Sequence, residues 1–133
     1  MKNRIVVIVL FVVAAVYDGV LGLLFLFAAA PLYDWAQIAP PNHLGYVQFP
    51  AALLIVFALM FLAVALNPRK NRSLIPYGLL LKISYCSITF YHWFATGIPW
   101  MWKPFAVLDL LFIFAFVWAY RALGESRSPE SKK

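Results

Sequence analysis

The stretch LIPYGLLLKISYCSITFYHWFAT, residues 74–96, decides how this chain is read. It is apolar enough to cross a bilayer, yet it carries a polar seam. Gly78, Lys82, Tyr85, Thr89, His92 and Thr96 follow one another at steps of four, three, four, three and four. That spacing puts all six on one side of a helix. An ammonium, a phenol, a hydroxyl and an imidazole are costly against lipid tails, where no water satisfies them. The seam therefore has to face protein or a wet cavity, and the other apolar stretches read as the wall around it.

Composition agrees with a membrane setting. The chain has 133 residues, enough for one domain, of which 65% are hydrophobic and only 12% charged. That balance is too apolar for a water-soluble protein of this size. The formal charge of +6 does not point to nucleic acid, because no basic helix with interleaved aromatics occurs. Cys86 is the single cysteine, which excludes an internal disulfide and leaves no zinc or iron–sulfur pattern. No Ser-His-Asp set, Gly-rich phosphate loop or paired-carboxylate hydrolase pattern is present.

Four spans are predicted, at about 5–30, 49–66, 74–96 and 105–122, making one all-α transmembrane domain over 1–123. Met1-Lys-Asn-Arg4 and the small residues Val13-Ala14-Ala15 resemble a signal peptide, but the apolar run continues well past them, so an uncleaved first helix is expected. Asp18 lies at its midpoint, with Ala15, Gly19 and Gly22 beside it to let a neighbouring helix approach. Residues 31–48 read as a loop broken by Pro31, Pro40, Pro41 and Gly45, with Leu32–Trp35 as a short interfacial turn and Tyr33, Trp35 and Tyr46 as belt anchors. The second span carries no ionisable residue and is expected to be the most lipid-exposed, with Pro50 in its first turn. Asn67–Arg72 is a short basic turn, and Pro76 opens the third span. The segment 97–104 is rich in interfacial tryptophan, the fourth span carries Asp109, and 124–133 reads as a disordered tail.

Orientation follows from the cations. Lys2, Arg4, Arg69, Lys70, Arg72, Arg121, Arg127, Lys132 and Lys133 fall on one side, against Lys103 alone on the other. This predicts an inner-membrane protein of bacterial type with both termini cytoplasmic.

Helical rise then predicts two pairs: Asp18 with Lys82 near mid-membrane, and Asp109 with His92 nearer the outer face. Together Asp18, Lys82, Tyr85, Thr89, His92 and Asp109 make a candidate polar track, since intramembrane ionisable groups mark ion paths, proton relays or ligand sites. The plainer reading is that the pairs are glue between helices. Lys82 can instead snorkel to the interface, and His92 and Asp109 lie within reach of the outer one. Tyr85, Tyr91, Trp93, Phe94, Phe105, Phe112 and Phe116 are expected chiefly to pack, with an aromatic pocket as the alternative. His43 and His92, far apart in sequence, make only a weak haem or metal signal.

The run Gly19-Val-Leu-Gly22-Leu-Leu-Phe-Leu-Phe, the Pro-rich outer loop and the basic turn after the second span resemble the DoxX-like group of small four-helix bacterial membrane proteins. The resemblance covers most of the chain in layout. It implies a four-helix bundle and a link to membrane oxidoreductase assemblies and quinone chemistry, and it transfers no site residue. The acidic residue usual near the outer end of the group's second helix is missing; Gln48 and Pro50 occupy that region. Three functions stay open. The leading one is an accessory or structural subunit of a membrane complex, with other subunits or a second copy as partner and no cofactor of its own. The others are a small transporter or channel using Asp18 and Lys82, and a quinone- or lipid-binding pocket around His92 and Asp109.

Overall fold

The computed structural model describes residues 2–125. Within them α1 (Lys2–Phe27), α2 (Ala29–Ala36), α3 (Gly45–Leu66), α4 (Ile75–Ala95) and α5 (Trp102–Glu125) follow in order, with a 3₁₀ turn at Arg72–Leu74 before α4. Four helices are long and apolar enough to cross a membrane: Asn3–Phe27, Gly45–Leu66, Arg72–Ala95 and Trp102–Gly124. The chain is thus an all-helical four-span bundle and an integral membrane protein. An even number of spans puts both ends of the bundle's chain on one side, called here the terminal end. The expected tail begins inside α5, which takes in Gly124 and Glu125; its remainder lies outside the described residues.

Several boundaries move, each for a local reason. The first span stops at Phe27 rather than 30, because the ring of Pro31 would press on the carbonyl four residues back. The backbone bends at Ala28 (φ −131°, ψ 28°) and restarts as α2. The expected interfacial turn is therefore a full short helix with Pro31 inside it. Its end is closed by Gln37 in the left-handed conformation, whose N–H bonds the carbonyl of Asp34 at 3.1 Å. Span two starts earlier than expected, at Gly45, where the Gly45 N–H donates to Nδ1 of His43 at 2.9 Å. Pro50 thereby falls inside α3 and not in its first turn. Asn71 closes the other end of α3 by donating to the carbonyl of Ala63 at 2.8 Å.

Packing runs in two pairs. α1 lies closely along α3, and α4 along α5. The first contact is small against small: Gly19 faces Ala58, and Gly22 faces the backbone of Ala51 and Ile55. Small residues let helix backbones approach where lipid supplies no hydrophobic drive. α3 is the least buried of the four spans, as the lack of ionisable residues over 49–66 predicts. The terminal half is closed by a plug of Phe11, Phe61 and Phe116, all fully buried. Phe11 stacks on Phe116 with centroids 4.8 Å apart, and Phe61 tilts against Phe116 at 5.2 Å. Gly78 of α4 leaves the room that the Phe61 ring fills. At the same end the Arg72 guanidinium donates to the carbonyl of Tyr120 at 2.9 Å and lies 3.7 Å over its ring, tying the basic turn to α5.

Polar groups left on the lipid side are satisfied within their own helix. Ser84 donates to the carbonyl of Leu80 at 2.7 Å and Ser87 to that of Ser84 at 3.1 Å, the usual way a hydroxyl is tolerated on an apolar face.

The two α1 glycines predict opposite outcomes. A Cβ at Gly22 would sit 2.7 Å from the Ala51 carbonyl oxygen, which is backbone and cannot turn away, whereas one at Gly19 would meet Ala58 at an ordinary 3.5 Å. Gly22→Ala should destabilise the bundle by about 1–3 kcal/mol and Gly19→Ala should not. Thermal melts of the two variants in the same detergent check this, and equal midpoints would refute the close approach.

Candidate functional site

The polar seam of α4 turns inward from Gly78 to Thr89, whereas His92 and Thr96 are exposed. Gly78, Lys82 and Thr89 are buried and Tyr85 is half-buried. Lys82 is 1% exposed and does not snorkel. Its ammonium donates to Oδ1 and Oδ2 of Asp18 at 2.8 and 3.0 Å and to Oδ1 of Asp109 at 3.0 Å. An ammonium has three donors, so all of its hydrogen-bonding capacity is taken. Rings surround it: Tyr17, Phe112 and Phe61 have centroids 5.1, 5.0 and 5.9 Å from Nζ. One buried cation thus joins α1, α4 and α5.

The expected pairing of Asp18 with Lys82 is present, and the pairing of Asp109 with His92 is not. α5 begins at Trp102, two residues before Pro104, so Asp109 lies about 10 Å into its helix. His92 is only three residues from the end of α4, about 5 Å deep. The levels do not match, and Asp109 joins Lys82 instead. His92 is exposed, with Nδ1 3.3 Å from the Thr96 hydroxyl. His43 is spent on the start of α3, and no group of three or more His, Cys, Asp or Glu side chains is placed to hold a metal ion among the described residues.

Above the ion triad, in the half away from the termini, lies a chamber of about 530 Å³. Tyr17, Asp18, Leu21 and Phe25 of α1 form one wall, and Tyr85, Thr89, Phe105 and Asp109 of α4 and α5 another. Its exposed lining residues Tyr46, Pro50, Leu53, Ile88 and His92 all belong to α3 and α4. The mouth therefore opens sideways between these two helices, which touch little. The roof is aromatic: Phe25 and Trp102 are 5.5 Å apart, with Tyr33 6.1 Å from Trp102. Tyr33 is only 5% exposed, so it is no belt anchor, whereas Trp35 and Tyr46 are largely exposed. Burial also raises the Tyr33 phenol above its ordinary pKa, keeping an uncharged group on the chamber wall.

Cross-links hold the roof and walls. Trp100 Nε1 donates to the carbonyl of Ala36 at 3.1 Å, the Tyr85 hydroxyl to that of Trp102 at 2.9 Å, and Cys86 Sγ to that of Ala106 at 3.5 Å. Of the aromatics expected to pack, Tyr85 and Phe105 line the chamber, Phe116 is core, and Tyr91 and Phe94 lie on the outer surface. Tyr17 was not singled out by the sequence, although Tyr17, Leu21 and Phe25 recur at steps of four. Its hydroxyl is buried and has no hydrogen-bond partner among the described residues, which is uncommon for a group whose desolvation costs about 1–3 kcal/mol.

Set against known proteins, the chain matches no protein-family model, no curated protein and no solved structure.

Removing Lys82 leaves two buried carboxylates facing each other. Lys82→Met should therefore cost about 3–5 kcal/mol, and adding Asp18→Asn with Asp109→Asn should recover most of it. His92→Ala, at an exposed position, should change stability by about 0.5 kcal/mol or less. Melting midpoints of the three variants test the assignment, and a harmless Lys82→Met would contradict it.

Proposed function

We propose that this protein binds a lipophilic small molecule or lipid that enters from the bilayer through the gap between α3 and α4. One observation carries the reading: an apolar chamber of about 530 Å³ whose mouth is lined by exposed α3 and α4 residues and whose inner end is lined by Asp18 and Asp109. Volumes of about 300–1,000 Å³ with a few convergent polar groups are typical of small-molecule sites. Helices that met for packing alone would close over such a void, since interiors are packed nearly as densely as crystals.

The chamber favours the ligand-binding expectation over the two others. An accessory subunit held only by contacts with its partners needs no cavity of this size. A channel needs a continuous path, and the Phe11, Phe61 and Phe116 plug fills the terminal half below the ions. Relative to the early expectation, the site shifts from His92 and Asp109 to Tyr17, Asp18 and Asp109, with His92 at the mouth. The DoxX-like layout supports a binding role of this kind, and the lysine and arginine count supports cytoplasmic termini, which would turn the mouth toward the outer leaflet of the cell membrane.

Leu54 lines the chamber and is not fully buried. Leu54→Trp should fill the space and lower the amount of co-purifying small molecule, read by mass spectrometry of extracts from gently solubilised protein, at least tenfold, with the melt little changed. Identical extracts from the two proteins would remove the ligand-binding reading.

A further inference from the structure

We propose that the chamber takes a lipophilic cation: an apolar body bearing an ammonium or another delocalised positive charge. This rests on the ligand-binding reading and adds the sign of the ligand's charge.

The charge count at the inner end carries the argument. Two carboxylates, Asp18 and Asp109, meet one ammonium, Lys82. Lys82 does not line the chamber, while both carboxylates do. Its three donors are already spent on them, so it has none to offer an anionic head. Asp109 uses Oδ1 alone; Oδ2 holds no hydrogen bond among the described residues. With both carboxylates ionised, the surplus charge on the chamber's side is negative, and its apolar surroundings screen it less than bulk water would.

Other charged and titratable groups do not offset this. On α4, His92 stands at the mouth, beside Thr96. On α5, Lys103 lies 5.2 Å from the Trp93 ring centroid and does not line the chamber. Asp34 of α2 is exposed and lines no wall. α3 contributes no ionisable side chain other than Tyr46.

The walls suit the same ligand. Tyr17, Phe25, Tyr85, Trp102 and Phe105 present rings to one space. Ring faces attract cations, most strongly where both are desolvated, and the molecule already uses this contact, with Lys82 Nζ 5.1 Å from the Tyr17 centroid. An anion would meet two carboxylates and these same ring faces, and Lys82 has no donor left for it.

Three probes of similar bulk test the sign: tetraphenylphosphonium, neutral triphenylphosphine oxide and tetraphenylborate. Equilibrium dialysis against the full chain in a non-ionic detergent reads their affinities. The cation should bind at least tenfold more tightly than the neutral probe, and the borate should not bind saturably. Asp109→Asn should abolish that preference while leaving the neutral probe bound, and Asp109→Glu should restore it. If Asp109→Asn does not fold, Tyr17→Leu serves in its place, with the cation losing several-fold more affinity than the neutral probe. Equal binding of cation and neutral probe, or tighter binding of the neutral one, overturns the cation assignment and leaves the chamber as a ligand site. If no probe binds saturably and Leu54→Trp changes nothing, the ligand-binding reading falls as well.

Discussion

The placing of the spans depends on one ammonium. Lys82 is carried near the middle of α4, and three helices are fixed by how it is satisfied. Taking two carboxylates and a lysine out of water costs several kcal/mol per ion, and only close geometry with full hydrogen bonding offsets it. The contacts of 2.8–3.0 Å meet that demand. Rotating α4 by a quarter turn would leave all three charges unpaired, so the rotation of that helix is set far more firmly than apolar packing alone could set it. This is a role for buried charge in specifying one arrangement rather than in adding stability.

The chamber follows from what the two helix pairs do not share. α1 and α3 are drawn together by small residues, and α4 and α5 by the seam and its cross-links to Trp102 and Ala106. In the terminal half the phenylalanine plug fills the space between the pairs. Toward the other end that filling gives out. Pro50 interrupts the hydrogen-bond ladder of α3 there, and the short α2 and Trp102 span the top instead of the gap. What remains is a pocket closed below by rings and charge, closed above by rings, and open at its flank.

Much of this was legible in the residues and some was not. The four helices follow from apolar runs of sufficient length. The inward face of α4 follows from the periodicity of its polar residues, and the α1–α3 contact from Ala15, Gly19 and Gly22. Pairing of Asp18 with Lys82 was readable because both depths could be counted from basic residues at one end. Asp109 was misassigned because its span was expected to begin at 105, whereas α5 starts at Trp102: a boundary error of three residues moved it to the wrong partner. The helical nature of α2 was hidden by Pro31, which is tolerated in a first turn. The cavity was not legible at all, since a void depends on side chains from all five helices and no single stretch announces it.

The sideways mouth has a consequence for how strength of binding would be measured. A molecule that arrives through the flank is drawn from the hydrocarbon phase, so its local abundance is set by how strongly it partitions there. Each added methylene favours that phase by about 0.8 kcal/mol, or roughly fourfold, without a single new contact with Phe25 or Leu54. A homologous series of alkyl tails would then look progressively more potent in water-referenced units while the site itself remained indifferent. Only mole fractions within the lipid or micelle would separate selectivity of the protein from greed of the membrane.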